Sequence, residues 1–400
     1  MKILMVAPRF SPKSGGGGYV ITKNLIKALE KQGFDIGVFT SDYEYDMYEA
    51  YSGLNQNGKH VWIMPFKTIF TLMGFHITRR NPLISWRKGV FTEDVDVVHM
   101  QGCRTFQNIV AYKQCKKYHI PYIVDAHGFP IQGGWMHKLV LRTFDWLFAN
   151  KIVKDATFCV AETEIGKQEY LRAGVKEDRI KIIPCPYDLS VFNNLPMKGE
   201  FKRKYKLPSD AKIIGFLGGL DKIKGLDFLV ESFADIEDKD NLYLVLAGTD
   251  MGFGKELHKL VNELGIDDEV IFTDYISGRD KLEYLVDCDI CVFPSRTEQG
   301  LPFAALEAIM CNTPIIVTEG TGAAEDCRKM GQCFIIDFGN VIGLSSQIKS
   351  IIGIDDFGMT ILNEMVFNQQ QCIRKNLSID EKANDYSQLY IDIKSAGQVR

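Results

Sequence analysis

The sequence predicts an α/β protein of two Rossmann-like domains with parallel sheets, and three observations carry that prediction. Short, wholly apolar runs alternate with amphipathic stretches along the whole chain, the pattern of parallel strands covered by helices on both faces. The series then starts afresh: "KILMVAPRFSPKSGGGG" and "KIIGFLGGLDKIKG" each read as a strand, a glycine-rich turn and a helix start. Finally, 400 residues exceed what one ordinary core organises, so two domains of roughly 150–200 residues are expected.

In chain order, the first series of strands is expected at 2–7, 36–40, 60–65, 95–99, 121–125, 157–161 and 180–183. The second is expected at 212–217, 242–247, 270–273, 289–294, 314–318 and 333–337. Between them lie amphipathic stretches such as 19–32, 105–118, 225–236, 255–264 and 280–287. A break near 185–210, where "PCPYDLSVFNNLPMKGE" is rich in Pro and Asn, separates a domain at 1–190 from one at 191–378. The cleft between two such domains, at the carboxyl ends of the strands, is the expected ligand site.

Composition narrows the class. An apolar fraction of 46% and a charged fraction of 24% are those of a soluble enzyme, and a net charge of −4 provides no field for nucleic acid. The ten cysteines are scattered. Cys288 and Cys291 form a CxxC inside the apolar "VDCDICVFP", with no second pair to complete a zinc site, and read as core. No disulfide framework is implied, which suits a reducing cytoplasm. The chain opens on a strand rather than a secretory leader, and no apolar run reaches 18 residues. The triplets "DVD" (94–96), "DKD" (238–240) and "DCD" (287–289) flank buried strands or lie in a charged loop, so no metal site is expected.

Four features carry chemistry. Gly15 to Gly18 follow the first strand and precede a helix expected near Tyr19, so the backbone there can approach an anion. Their spacing is not GxGxxG, which excludes the dinucleotide fingerprint. Lys224 lies just before Gly225 at a helix start, where a cation beside free N–H groups suits a phosphate. His127 ends the strand of "PYIVDAHGF" and is positioned to meet a substrate oxygen or a backbone carbonyl. In "TEQGLPFAALEAIMC", Gly300 and Pro302 open a helix that is apolar on every face except at Glu307. A buried carboxylate needs a partner. A protein cation would serve, and so would a ligand diol, which is the expectation here.

In combination these stretches resemble glycosyltransferase family 4, the large retaining family of GT-B fold. The resemblance runs through "VAPRFSPKSGGGGYVITKNLIKALEKQGFDIGVFT", "DVVHMQG", "PYIVDAHG", "VAETEIGKQEYLRAGV", "RIKIIPCPYDLSVF", "FLGGLDKIKGLDFLVESF", "LVLAGTD", "VIFTDYIS" and "CVFPSRTEQGLPFAALEAIMCNTPIIVTEGTGAAED". It implies that the second domain binds a nucleotide-sugar donor, that the first binds the acceptor, and that "YSQLY" belongs to a terminal helix, 379–400, crossing back to the first domain. It also implies roles. Glu307 holds the ribose hydroxyls, and Lys224 neutralises the diphosphate. Gly16, Gly17 and Gly18 approach the phosphates, and His127 meets the donor sugar or leaving group. Gly300, Leu301 and Pro302 cradle sugar and phosphate, while Gly248, Thr249 and Tyr275 lie near the base. No cofactor or metal is implied. Related GT-B folds include nucleotide-sugar epimerases, which the acceptor-domain landmarks disfavour.

Three departures stand out. Gly219 occupies the place of the family's arginine after "FxG", with Lys222 as the nearest substitute. "CPYD" replaces "NGVD", keeping only Asp188. The family's first glutamate falls eight residues before the second, which here is Gln299, while the neighbouring charge is on Glu298. Either residue can be the one that meets the sugar. Gly219 and Gln299 together also leave open a sugar-nucleotide-binding subunit without activity. Lastly, from Ala50 to Thr92 there is no acid, but Lys59, Lys67, Arg79, Arg80, Arg87 and Lys88 are interleaved with Trp62, Phe66, Phe70, Leu72, Met73, Phe75 and Trp86. Such a segment suits an anionic bilayer. It suggests a cytoplasmic enzyme, peripheral on the membrane through residues 59–88, acting on a lipid-linked saccharide.

Overall fold

A computed structural model describes residues 1–7, 16–41, 62–70, 83–85, 94–126, 135–297 and 300–398. The chain divides into two units, Met1–Asp188 with Asn376–Arg400, and Leu189–Lys375. Each is an α/β unit built on its own sheet.

In the first unit, β1 (Lys2–Val6), β2 (Asp35–Ser41), β3 (Trp62–Phe70), β4 (Leu83–Ser85), β5 (Val97–Gln101), β6 (Tyr122–Asp125), β7 (Phe158–Ala161) and β8 (Ile180–Ile182) form one sheet. Its order is β4-β3-β2-β1-β5-β6-β7-β8. All pairings are parallel except that of β3 with β4. The helices that matter here are α1 (Gly16–Lys31), α2 (Phe106–Tyr118), α3 (Trp135–Phe144), α4 (Asn150–Asp155), α5 (Glu164–Arg172) and, from the end of the chain, the helix Ile379–Gln398. Side chains alternate across a strand, and β1 shows the result. Leu4 and Val6 enter a core with Val110 and Ile152, while Ile3 and Met5 enter another with Leu25, Ile26, Tyr386 and Tyr390. A strand between two apolar layers must be apolar throughout, which is why "KILMV" shows no period.

The second unit contains α6 (Glu200–Lys204), β9 (Lys212–Leu217), α7 (Leu226–Ala234), β10 (Leu242–Ala247), α8 (Gly254–Leu264), β11 (Val270–Thr273), α9 (Gly278–Asp287), β12 (Ile290–Phe293), α10 (Phe303–Met310), β13 (Ile315–Thr318), α11 (Gly322–Lys329), β14 (Phe334–Ile336), α12 (Val341–Ile352) and α13 (Asp356–Asn376). The terminal helix Ile379–Gln398 is α14. The sheet runs β11-β10-β9-β12-β13-β14, parallel throughout. In each unit the first strand lies inside the sheet, β1 between β2 and β5 and β9 between β10 and β12, so the strand order reverses there. That is a topological switch point, where ligands bind at the carboxyl ends.

The structure adds β4, an edge strand of three residues, to the expected strands. Helix α1 starts at Gly16 rather than near Tyr19, so Gly16, Gly17 and Gly18 form its first turn instead of a preceding loop. Cys288 and Cys291 are buried in the second unit, and burial pushes the Cys288 thiol well up. The acidic triplets cap backbone. Asp287 accepts from the Gly199 and Lys202 amides at the start of α6, Asp289 from the Ile213 amide (2.9 Å), and Asp96 from the Lys2 amide (2.7 Å).

Candidate active site

The switch point of the second unit lies between β9 and β12, and the loops leaving β9, β10 and β12 are fastened to one another. The β9 loop is shaped by Asp221, whose side chain accepts from the Ile223 amide (3.0 Å) and whose carbonyl accepts from the Lys224 amide (2.9 Å). One short helical turn, Lys222–Lys224, follows and ends at Gly225 with φ +67°. A side chain at Gly225 would run into the Pro294 carbonyl of the β12 loop. Glycine is therefore required twice there, for its left-handed conformation and for its lack of Cβ. This places Lys224, half-buried, immediately before Gly225, the N-cap of α7, where helix amides and an ammonium can meet an anion together.

Arg296 binds the β12 loop to the same turn. Its amide donates to the Ile223 carbonyl (2.8 Å), its Nε to the Lys222 carbonyl (3.0 Å), and its guanidinium pairs with Asp227 and lies 4.5 Å from the Phe338 ring. On the other side, the Leu220 amide donates to the Thr249 carbonyl (2.9 Å) and the Met251 amide to the Leu220 carbonyl (3.1 Å), closing the β9 loop onto the β10 loop. Gly248 (φ +146°) has the Gly218 carbonyl where its Cβ would be. Asp250 accepts from the amides of Gly252, Phe253 and Gly254, and these backbone hydrogen bonds, Gly254's first, hold its carboxyl below the usual range.

At Gly219 the space of a side chain is filled by Met251, whose Cγ lies 2.7 Å from an ideal Cβ. Lys222, exposed, points its ammonium over the Phe253 ring at 5.9 Å. Tyr275 is 74% exposed in the loop after β11, and Thr249 is exposed in the loop after β10. In the β12 loop Pro302 is the N-cap of α10, one position before the first turn, and the Leu301 amide donates to Asp326 Oδ2 at 2.9 Å. Asp326, on α11, is thus what holds the entry to α10. Glu298, Gln299 and His127 lie outside the described residues, as does most of 59–88.

Glu307 is 6% exposed in α10, and here the structure corrects the sequence reading. The carboxylate has a protein partner: Lys281 Nζ, from α9, lies 2.6 Å from Oε1. The partner was missed because α9 lies 26 residues away in sequence, and nothing local marks a lysine in "GRDKLEYLVD" as inward-facing.

In the first unit the carboxyl ends of the central strands carry a buried polar network. His99 Nδ1 lies 2.7 Å from Tyr390 Oη, and Gln101 Nε2 lies 2.9 Å from His99 Nε2. Tyr386 Oη donates to Asp125 Oδ2 at 2.8 Å. Sequence reading placed "YSQLY" on a helix but not these partners.

Two family models match. One, "Glycosyltransferase Family 4", covers residues 15–191, and the other, "Glycosyl transferases group 1", covers 197–358. The chain is a GT-B glycosyltransferase of the family 4 type. Among curated relatives it is 26% identical to an uncharacterized glycosyltransferase of Methanocaldococcus jannaschii, over 81% of this chain and 82% of that one. It is 35% identical to the D-inositol 3-phosphate glycosyltransferase of Stackebrandtia nassauensis, over 35% of this chain and 33% of that enzyme. Of solved structures, Anabaena HepE in complex with UDP-glucose superposes with TM-score 0.76 at 16% identity, covering 98% of this chain and all of that one. A sucrose-phosphate synthase from Thermosynechococcus elongatus gives 0.76 at 18%, covering 99% of each chain. At these identities the structures establish the fold.

Proposed function

We propose that this glycosyltransferase transfers a sugar, with retention, from a UDP-linked donor to the hydroxyl of a lipid-linked or cell-surface glycan acceptor, without a metal ion. One observation carries the reading. Lys224 and the buried Glu307 sit on segments that follow β9 and β12, the two strands that flank the switch point. A cation at a helix N-terminus suits a diphosphate, and a carboxylate suits the two hydroxyls of a ribose. UDP is chosen because HepE was solved with UDP-glucose.

In a retaining transfer the acceptor oxygen bonds to the anomeric carbon as the carbon–phosphate-oxygen bond breaks on the same face. The acceptor proton passes to the departing diphosphate oxygen. The residues then have two tasks, stabilising the leaving diphosphate and holding the reactants in line. Lys224, the first turn of α7 and Lys222 serve the first. Glu307, the Gly300–Pro302 entry to α10 and one of Glu298 or Gln299 serve the second; His127 and Gly16 to Gly18 remain the candidates on the acceptor-binding unit. The basic-aromatic segment 59–88 brings that unit to an anionic membrane.

A second reading, a donor-binding subunit without turnover, is favoured by Gly219, since Met251 fills the place of the family's arginine. A thermal-shift panel of UDP-, GDP- and ADP-sugars, followed by an assay of nucleotide release, separates the two. At about 100 times its Kd a true donor stabilises by about 2.7 kcal/mol. A shift with nucleotide release supports the enzyme, and a shift without release supports the subunit. No shift with any nucleotide-sugar sinks both.

A further inference from the structure

We infer that α3, α4 and the turn joining them form a second membrane-docking face on the first unit, one that inserts apolar side chains into an anionic bilayer. The rod Trp135–Phe144, Asp145–Ala149, Asn150–Asp155 is continuous, and its middle segment is a single π-helical turn. A π turn adds a residue and marks functional positions more often than chance. Here it puts three apolar residues in succession between two buried anchors. Asp145 is buried and forked by Arg104 Nε and Nη2 at 2.7 and 2.8 Å, and Ala149 is fully buried. Between them Trp146 is 77% exposed, with Leu147 and Phe148 beside it, and one to two turns earlier Leu139 (59%) and Val140 continue the same surface. Soluble surfaces scatter single apolar residues, whereas a contiguous patch marks an interaction.

The charge around the patch selects the partner. Lys138, Arg142, Lys151 and Lys154 are all exposed, while of the two acids from 138 to 155 Asp145 is buried on Arg104 and Asp155, half-buried, is held by Lys116 and Tyr112. An isologous contact with a second copy would press these like charges together. An anionic lipid surface neutralises them instead, and it takes Trp at the headgroup level with Leu, Val and Phe below. The apolar stretch is too short to span a bilayer, so the face lies in the interface. The inference rests on the membrane-proximal reading above, but on different residues, so the two can fail separately.

The test uses the full chain and vesicles of phosphatidylcholine with and without phosphatidylglycerol, scored by co-sedimentation. The parent protein should bind the phosphatidylglycerol vesicles and release at high salt. Trp146→Glu with Leu147→Glu should lower partition by at least about tenfold. Lys138→Glu with Arg142→Glu should lower it by about tenfold at low salt and less at high salt. The donor-induced thermal shift should be unchanged in both, since none of these four residues is among those assigned to the donor. Full binding by both variants would place docking elsewhere, such as residues 59–88, and overturn the inference. So would a parent protein that stays in the supernatant, or one that binds both vesicle types equally. A parent dimer that the Trp146 and Leu147 substitutions dissociate would assign the patch to self-association instead. Loss of the donor shift in the parent would sink the proposed activity while leaving vesicle binding to stand.

Discussion

The two units carry the same kind of sheet but secure its functional edge by different means. In the second unit the loops leaving β9, β10 and β12 are joined by backbone hydrogen bonds and by glycines packed against carbonyls. In the first unit the carboxyl ends of β5 and β6 are tied by side chains to α14, with 291 residues between His99 and Tyr390 and 261 between Asp125 and Tyr386. One edge is closed by backbone and the other by side chains brought from a distant helix. Substitutions should therefore act differently in the two, and the following outcomes would break or sharpen that contrast.

The largest effect is expected at Gly248. Alanine there would place Cβ on the Gly218 carbonyl and separate the β9 and β10 loops, at a cost of about 3 kcal/mol or more by urea unfolding. The donor-induced shift should vanish with it. An unchanged midpoint would mean that the backbone zipper is not what fixes the site.

Next comes the Lys281–Glu307 pair. Lys281→Met removes the ammonium from a buried carboxylate and should cost about 3 kcal/mol. Adding Glu307→Gln should restore most of that stability without restoring donor affinity, which falls by about 100-fold because two charge-assisted hydrogen bonds to the ribose are lost. If Glu307→Gln alone leaves donor affinity intact, the glutamate serves only its lysine.

In the first unit, Tyr386→Phe removes a buried hydrogen bond to a carboxylate and should cost about 2 kcal/mol, and Tyr390→Phe about 1 kcal/mol. Neither should change the donor shift at saturating ligand. The smallest effect concerns pH. Because the folded-state pKa of Asp250 is depressed, its contribution is present above the unfolded value of about 3.9 and is lost as pH falls through the lower folded value. The melting-temperature difference between the parent and Asp250→Ala should thus be equal at about pH 8 and about pH 5, shrinking only below about pH 4.

The same contrast explains what could be read from sequence. Strands such as "KIIGFL" and "LYLVLA" are apolar on both faces and bounded by glycine, so their positions follow from pattern alone. Gly225 and Gly248 stand beside the turns they permit. β4 was not legible because three residues carry no period. The π turn was not legible because its extra residue breaks the 3.6 pattern by which helices are recognised. Lys281, Arg296 and Asp326 escaped notice because each meets its partner across the fold: Lys281 reaches α10, Arg296 returns to the β9 turn, and Asp326 reaches back to Leu301. Glu307 shows the limit most clearly. Burial predicted that it needs a partner, but only the three-dimensional packing of α9 on α10 identified which one.

Helix α14 has a further consequence, for how the chain is made. Tyr386, Leu389, Tyr390 and Ile393 share one core with Ile3, Met5 and Leu25. On the ribosome the first unit therefore waits for its missing layer while roughly 200 more residues are added, about 10–40 s at ordinary elongation rates. The second unit meanwhile emerges with its whole complement of residues. The half translated second can finish folding first, and a nascent chain stalled before α14 would present a completed second unit beside a first one with an apolar face still bare.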